Sequence, residues 1–206
     1  MTDAEAVTRF EAHAHNQRPA PKWEPVTPYD LDSRRIAEGR NPFLIKEVFA
    51  PTEVIDMGCG FGYLVRFLRE LGIECTGYDK HYGYSIPGIY PADIADPDEF
   101  LTTNDGDLVV CREVLEHLPV LDVVQAVRNI VRLSRKYIYV TTRFAKQPDH
   151  FLSVETEFDA DPTHITCLTK PFLRTLFILE GCKSRPDLEA KMDWQKKGRC
   201  LVFEVA

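Results

Sequence analysis

An acidic residue followed by three alternating glycines is the part of the sequence best suited to ligand chemistry. The run VIDMGCGFGYL (54–64) begins apolar, carries Asp56, and then has Gly58, Gly60 and Gly62. Glycine permits positive φ and lets a ligand approach the backbone closely, and a helix after such a loop favours negative charge at its N-terminus. The carboxylate of Asp56 would repel a pyrophosphate, but it suits a ligand with a cationic or ammonium group. We therefore expect a binding loop for such a ligand.

The spacing distinguishes this loop from two other glycine-rich loops. A dinucleotide fingerprint has the pattern G-x-G-x-x-G, but position 63 is Tyr, so the third glycine is misplaced. A P-loop ends in G-K-[ST], whereas Gly62 is followed here by Tyr63 and Leu64. A nucleotide-dependent oxidoreductase and a P-loop protein are therefore disfavoured.

Short apolar runs alternate with helical patterns on both sides of the loop. Strands are predicted at 52–57, 73–79, 88–94, 107–114, 136–142 and 198–206. Helices are predicted at about 32–39, 42–50, 61–71, 97–103, 120–135 and 169–181. This alternation implies βαβ units and a mostly parallel sheet covered on both faces. A doubly wound sheet binds its ligand at the carboxyl ends of its strands, which is where the glycine loop follows the first strand.

With this loop in this position, the sequence resembles the class I S-adenosylmethionine-dependent methyltransferases of the methyltransferase-11 type. VIDMGCGFGYL is similar to their first motif over its whole length, and the resemblance covers roughly residues 45–180. It implies a doubly wound, Rossmann-like α/β fold with a mostly parallel seven-stranded sheet and an antiparallel last strand. It also implies S-adenosylmethionine as the cofactor. We expect an N-terminal arm or cap at 1–40 and the cofactor-binding domain at 41–206.

The resemblance also implies which residues bind the adenosine part of the cofactor. Asp79 in GYDK corresponds to the acidic residue that holds both ribose hydroxyls, about twenty residues past the glycines. Asp93 in PADIAD would face the adenine amino group, and the backbone amide of Ile94 would face a ring nitrogen. Asp96 and Asp98 are close alternatives to Asp93 in the same loop.

The backbone after the fourth predicted strand would line the methionine end of the cofactor. Cys111 and Arg112 occupy this place in LVVCREV. A nucleophilic Cys111 is disfavoured, because no Pro-Cys precedes this region. The complete set that we expect to bind the cofactor is Asp56, Gly58, Cys59, Gly60, Asp79, Lys80, Asp93, Ile94, Cys111 and Arg112.

His117 is the predicted general base. Methyl transfer is an in-line displacement in which positioning and desolvation do much of the work, and a base helps when the acceptor is a hydroxyl. His117 follows the fourth predicted strand in EVLEHLP, at the rim of the cofactor pocket, and an unperturbed imidazole titrates near neutrality. The alternative is that His117 caps the next helix or packs beside the cofactor.

The same segment raises the question of a metal ion. Glu113, Glu116 and His117, with the later His164, resemble the metal-binding quartet of the small-RNA 2′-O-methyltransferases. Two carboxylates and two imidazoles are suitable ligands for a divalent ion. However, E-V-L-E-H-L is also common in small-molecule methyltransferases that bind no metal. DPTHITCLTKPFL likewise resembles the ordinary stretch between the fifth strand and the last helix in the methyltransferase-11 type. We therefore expect no metal, with metal-assisted activity as the alternative.

The predicted acceptor is a small molecule, with oxygen favoured over nitrogen or carbon. No [DNS]-P-P-[YF] motif follows the fourth strand, which argues against exocyclic amino groups of nucleobases. The net charge of −7 and the pI of about 5.4 disfavour a nucleic-acid partner. The alternatives are methylation of RNA or another macromolecule, and a non-catalytic accessory module that binds S-adenosylmethionine.

Two segments are expected to form the substrate side. The arm contributes Trp23, Tyr29, Arg34 and Arg35, and the stretch at about 143–168 carries His150 and His164. A third segment, CKSRPDLEAKMDWQKKGR, is rich in Lys and Arg, and it is either an anion-binding patch or a solvated hairpin or helix.

The expected location is the cytoplasm, without membrane association. No apolar run approaches the length of a membrane span, and the N-terminus has no signal-peptide core. The six cysteines include no C-x-x-C pair, so we expect free thiols in a reducing compartment.

Overall fold

The computed structural model describes residues 39–80, 87–100, 105–145 and 163–206. The predicted arm, apart from its last two residues, lies outside the described residues, as does the helix predicted at 32–39. The same holds for the candidate substrate-side residues Trp23, Tyr29, Arg34, Arg35 and His150.

A seven-stranded sheet forms the centre of the fold. Its strands are β1 (Glu53–Met57), β2 (Glu74–Asp79), β3 (Ile89–Pro91), β4 (Gly106–Arg112), β5 (Ser134–Thr141), β6 (Lys183–Ser184) and β7 (Cys200–Glu204). The strand order is β3-β2-β1-β4-β5-β7-β6. Strands β1 to β5 pair in parallel, and β7 pairs antiparallel with β5 and with β6. The predicted mostly parallel seven-stranded sheet with an antiparallel last strand is therefore confirmed.

Helices cover both faces of the sheet. They are α1 (Asn41–Phe49), α2 (Tyr63–Glu70), α3 (Val120–Arg132), α4 (Lys170–Leu179) and α5 (Pro186–Met192), with a 3₁₀ turn at Leu115–His117. Helices α3 and α4 pack on one face through buried residues such as Ile130 and Phe177. Helices α1, α2 and α5 pack on the other face, where Ile45, Leu68 and Met192 are buried. The order of the strands reverses between β1 and β4, which is the switch point at which doubly wound sheets bind ligands.

Local chemistry explains where several helices begin. Pro42 occupies the first turn of α1, and Pro186 begins α5, because proline lacks an N–H at a position where that donor has no helical partner. Thr169 caps α4, since its hydroxyl accepts a hydrogen bond from the backbone N–H of Phe172 at 3.3 Å.

The structure differs from the sequence prediction in three places. The third strand is shorter than predicted, and residues 97–100 form turns where a helix was predicted. Strand β6 was not predicted, because two residues show no periodicity. The Lys- and Arg-rich segment contains β6 and α5, and its Arg185 bonds Asp187 at 2.8 Å and Glu204 at 2.8 Å. These contacts favour a structural role over an anion-binding patch at Arg185.

Two further observations concern the predicted cellular environment. All six cysteines are free thiols, as predicted. Among the described residues, no helix has both the length and the apolar composition that crossing a bilayer requires.

Candidate active site

The glycine loop folds around the carboxyl end of β2. The backbone N–H groups of Gly58 and Cys59 both donate to the carbonyl of Tyr78, at 2.7 Å and 3.0 Å. The N–H of Gly60 donates to the Asp79 carboxylate at 2.8 Å. The structure thus brings together the loop and the acidic residue that the sequence assigned to the cofactor.

Two of the glycines have different surroundings. Gly58 has a φ of +73°, and a Cβ added there would lie 2.5 Å from Cγ2 of Val114, which is closer than real Cβ contacts. Gly60 has a φ of +54°, and a Cβ added there would meet nothing within 4 Å. Gly58 is therefore required for packing, whereas Gly60 borders open space where a ligand can approach the backbone.

The predicted adenine-binding residues lie after β3. Asp93 is half-buried, and its carboxylate accepts hydrogen bonds from Nζ of Lys80 at 2.7 Å and from the N–H of Ala95 at 3.0 Å. The alternatives Asp96 and Asp98 are both exposed. Of the three aspartates, the burial favours Asp93 for a role in binding.

A buried asparagine holds this loop in place. The side-chain amide of Asn129, on α3, is completely buried and donates to the carbonyls of Ile94 and Asp96 at 2.9 Å and 2.7 Å. Ile94 is itself only 4% exposed. No local sequence pattern indicates this role of Asn129, because the contact joins residues more than thirty positions apart.

The ends of β1 and β4 lie side by side in the middle of the sheet. Asp56 is 4% exposed and pairs with Val110. Cys111 is fully buried, and this burial raises the pKa of its thiol well above the usual range. The thiol therefore stays protonated, which agrees with the expectation that Cys111 is no nucleophile. Arg112, the last residue of β4, is half-buried and pairs with Thr141 of β5.

One carboxylate and two imidazoles meet just after β4. One ligand atom from each of Glu116, His117 and His164 lies within 4.8 Å of the other two; we call these residues the Glu–His–His cluster. Two backbone hydrogen bonds bring His164 there, since the N–H groups of Ile165 and Thr166 donate to the Glu116 carbonyl at 2.9 Å and 3.1 Å. The ring centroids of the two histidines are 4.7 Å apart.

Threonine residues orient two members of the cluster. The hydroxyl of Thr142 donates to Oε2 of Glu116 at 2.7 Å. Nδ1 of His117 lies 3.2 Å from the carbonyl oxygen and 2.9 Å from the hydroxyl of Thr163. The carbonyl contact is a hydrogen bond only when Nδ1 carries the proton, which leaves the lone pair of the neutral ring on Nε2, whereas the hydroxyl can bond to either tautomer. Sequence reasoning missed both threonines, since no spacing rule links them to the 3₁₀ turn.

Glu116 is the most unusual member electrostatically. It is 1% exposed, and its Oε1 has no hydrogen-bond partner. Burial, with a further contribution from the nearby Glu113 carboxylate, raises the pKa of Glu116 to about 7. Burying a carboxylate without a full set of partners is costly, so such a group needs an explanation.

Glu113 does not join the other three residues of the proposed quartet. It is a non-glycine residue with a φ of 53°, and its carboxylate lies 3.8 Å from Nε of Arg143 and 3.9 Å from Nη1 of Arg199. The four-residue set that the sequence suggested is therefore only partly assembled, with three residues together and Glu113 directed toward two arginines.

Comparisons with known proteins agree with this architecture. A family model described as "Methyltransferase domain" matches residues 29–183, which is more than half of the 206 residues. No match was found among functionally curated proteins.

Solved structures show the same fold at low sequence identity. An O-methyltransferase family protein from Burkholderia thailandensis is 14% identical with a TM-score of 0.59; the match covers 96% of this chain and 63% of that one, less than two thirds of its length. Magnesium protoporphyrin IX methyltransferase from Synechocystis PCC 6803, solved with bound SAM, is 15% identical with a TM-score of 0.56, covering 100% of this chain and 99% of that one. A sugar N-methyltransferase from Streptoalloteichus sp ATCC 53650 is 16% identical with a TM-score of 0.60, covering 89% and 94%.

The family match and the fold lead to one conclusion about identity. The match does not confirm the methyltransferase-11 subtype. The similar structures do not identify the acceptor, because their sequence identities to this chain are too low for an inference about substrate. The chain belongs to the Methyltransferase domain family and is a class I S-adenosylmethionine-dependent methyltransferase.

Proposed function

We propose that this protein transfers the methyl group of S-adenosylmethionine to an oxygen atom of a small-molecule acceptor. One observation carries the proposal: the Glu–His–His cluster lies directly beside the cofactor loop. Gly58 packs against Val114, and the 3₁₀ turn that carries Glu116 and His117 begins at the next residue. Groups able to activate an acceptor are therefore adjacent to the loop that we expect to bind the methyl donor.

In this proposal the cofactor lies across the carboxyl ends of the parallel strands. Asp79 binds the ribose hydroxyls. Asp93, next to Lys80, binds the adenine amino group, and the backbone amide of Ile94 binds a nitrogen of the adenine ring. The contact between Gly60 and Asp79 supports this arrangement, because it joins two of the assigned positions. The methionine part lies along the loop and the end of β4, where the remaining assigned residues are Asp56, Gly58, Cys59, Cys111 and Arg112.

The chemistry of the cluster favours an oxygen acceptor. A hydroxyl is a weak nucleophile that gains from losing its proton as it attacks, so a nearby proton acceptor accelerates the reaction. The oxygen forms a bond to the methyl carbon while the carbon–sulfur bond breaks, and the electron pair goes to sulfur, giving S-adenosylhomocysteine. The hydroxyl proton passes to the cluster, where His117 is the proposed base.

The acidic charge of the chain supports a small acceptor over RNA, because phosphate binding requires a basic surface. Neighbours of the same fold include methyltransferases whose names specify a porphyrin and a sugar. We also propose a cytoplasmic location, which the six free thiols support.

Calorimetric titration with S-adenosylmethionine tests the cofactor assignment. We expect the wild type to bind and Asp79→Asn to bind at least about tenfold more weakly, because the variant loses charge-assisted hydrogen bonds. Asp98→Asn is the matched control, since Asp98 is exposed in the loop after β3, and its affinity should equal that of the wild type. Absence of binding by the wild type would contradict the cofactor assignment.

A panel of acceptors then tests the reaction. Purified protein is incubated with methyl-labelled S-adenosylmethionine and with phenols, catechols, aliphatic alcohols, amines and RNA. The proposal expects label in at least one hydroxyl compound, with His117→Ala lowering turnover. Label only in amines would refute oxygen as the acceptor, and label only in RNA, with strong salt sensitivity, would favour the macromolecular alternative.

A further inference from the structure

We propose that the Glu–His–His cluster is a binding site for one divalent transition-metal ion, held by Glu116, His117 and His164. The site goes beyond the proposed function, because its occupancy does not depend on which acceptor is methylated. Only its role in activating the acceptor rests on that function. The inference reverses the sequence-based expectation that the protein binds no metal.

The unsatisfied oxygen of Glu116 is the first feature that a bound cation would explain. Oε2 has its hydrogen bond from Thr142, while Oε1 is buried without a hydrogen-bond partner. Buried polar atoms in proteins are almost always paired, and a carboxylate oxygen left unpaired at 1% exposure is among the costlier exceptions. Since one ligand atom of each imidazole lies within 4.8 Å of this carboxylate, a cation between the three groups would satisfy the oxygen.

Neighbouring groups already orient two of the three ligands. Metal-binding histidines typically donate their second ring N–H to a carbonyl, and metal-binding carboxylates are themselves hydrogen-bonded. His117 has such a carbonyl beside Nδ1, that of Thr163, and Glu116 meets the second condition through Thr142. When Nδ1 donates to this carbonyl, the lone pair of the neutral ring lies on Nε2, the nitrogen that a ligand role requires.

The position of the cluster in the fold also supports a metal site. Glu116 and His117 lie on the 3₁₀ turn, and His164 is attached to that turn by the backbone bonds of Ile165 and Thr166 to the Glu116 carbonyl. Three ligands on two segments joined by main-chain hydrogen bonds form a framework that does not depend on the ion for its assembly.

The donor atoms select the class of metal. Two imidazole nitrogens with one carboxylate oxygen suit Zn²⁺, Fe²⁺ or Co²⁺, whereas Mg²⁺ and Ca²⁺ favour sites made of oxygen atoms. Three protein ligands also leave coordination positions open, as in catalytic metal sites. A cation held there would lower the pKa of an acceptor hydroxyl bound to it, so that water could take the proton. His117 would then bind the ion through Nε2, and the base role proposed above would apply to the protein without the ion.

Glu113 provides the internal comparison. It lies three residues before Glu116, but its carboxylate is directed toward Arg143 and Arg199 and is outside the cluster. A site formed by all four residues would need Glu113, and the site proposed here does not. The two possibilities therefore predict different affinities of the Glu113→Gln variant for the metal ion.

Titration with Co²⁺ tests the proposal directly, because the position and intensity of its visible absorption bands change when protein ligands replace water around the ion. Full-length protein is treated with a chelator, dialysed and titrated with Co²⁺, then with Zn²⁺ in competition, and separately with Mg²⁺. We expect one Co²⁺ per chain, displacement by Zn²⁺, and no displacement by Mg²⁺ at similar concentration. Absence of stoichiometric Co²⁺ binding by the wild type would overturn the proposal and leave an imidazole–carboxylate cluster without an ion.

Variants locate the ion. His164→Ala and Glu116→Gln should each weaken Co²⁺ binding by at least about 100-fold, and Thr142→Val, which removes only an orienting bond, by about 10-fold. Glu113→Gln should bind Co²⁺ with the wild-type affinity. A loss in Glu113→Gln equal to that in His164→Ala would overturn the three-residue site.

Binding of S-adenosylmethionine, measured on the same preparations, shows whether each variant is folded. It also separates this inference from the proposed function. A protein that binds S-adenosylmethionine and methylates a hydroxyl but binds no Co²⁺ refutes the metal site alone. A protein that binds Co²⁺ at the three residues but methylates no hydroxyl refutes only the proposed acceptor.

Discussion

Replacement of Gly58 by alanine tests the contact that joins the cofactor loop to the turn carrying the cluster. The added Cβ would lie 2.5 Å and 2.8 Å from the two methyl carbons of Val114, at a backbone φ of +73°. A left-handed backbone costs a non-glycine residue about 1–2 kcal/mol, and overpacking adds about 1–3 kcal/mol. We therefore expect Gly58→Ala to lower the free energy of unfolding by about 2–5 kcal/mol.

Thermal and urea unfolding are the assays. For a domain of this size, the expected loss corresponds to a decrease in Tm of roughly 5–15 °C. Gly60→Ala is the matched control, because Gly60 also has a positive φ, of +54°, but its added Cβ meets no atom within 4 Å. Its cost should be limited to the backbone component, about 1–2 kcal/mol.

A double substitution separates the collision from the backbone strain. Val114→Ala removes the two methyl carbons that the new Cβ would meet, so Gly58→Ala should cost about 1–3 kcal/mol less in a Val114→Ala background. Additive effects of the two substitutions would refute the collision. Equal destabilisation by Gly58→Ala and Gly60→Ala would refute the different roles assigned to the two glycines.

Three further predictions follow from contacts described above or from the base of β1. Asn129→Ala leaves two loop carbonyls without their buried donor, so urea unfolding should show that the free energy of unfolding falls by about 2–4 kcal/mol. Leu121 is 81% exposed on the same helix, so the control Leu121→Ala should change this free energy by less than about 0.5 kcal/mol. Gly60→Ala should weaken S-adenosylmethionine binding at least about tenfold in calorimetry, since its Cβ would occupy the space beside the loop; unchanged affinity would place the cofactor elsewhere. Hydrogen bonds from Thr52 hold the pKa of Asp107 well below its usual 3.8. A carboxylate whose pKa is lower in the folded than in the unfolded state stabilises the fold above its unfolded-state pKa. This stabilisation is lost as the pH falls below about 4. Asp107→Asn should therefore reduce the acid dependence of unfolding, and an unchanged dependence would contradict this assignment.

The contact between the glycine loop and Asp79 was predictable because its signals are local. The acidic–glycine run, the apolar strands and Asp79 each follow from a few neighbouring residues, and the parallel sheet brings their carboxyl ends together without further information. The contact between Gly60 and Asp79 then requires only that β1 and β2 are neighbours.

The Glu–His–His cluster was predictable only in part, because its geometry depends on contacts distant in sequence and on one unusual backbone angle. On a continuous helix, Glu113 and Glu116 would share a face. The chain instead takes a positive φ at Glu113 and then forms only a three-residue 3₁₀ turn, which directs the two carboxylates to different neighbours. His164 reaches the turn through backbone bonds, for which side-chain periodicity gives no signal.

These backbone bonds have a consequence for the evolution and engineering of the protein. Two consecutive main-chain N–H groups, of Ile165 and Thr166, share the carbonyl of Glu116, so every residue type except proline can supply these two donors. Positions 165 and 166 can therefore be varied in a library while the attachment of His164 to the 3₁₀ turn is kept.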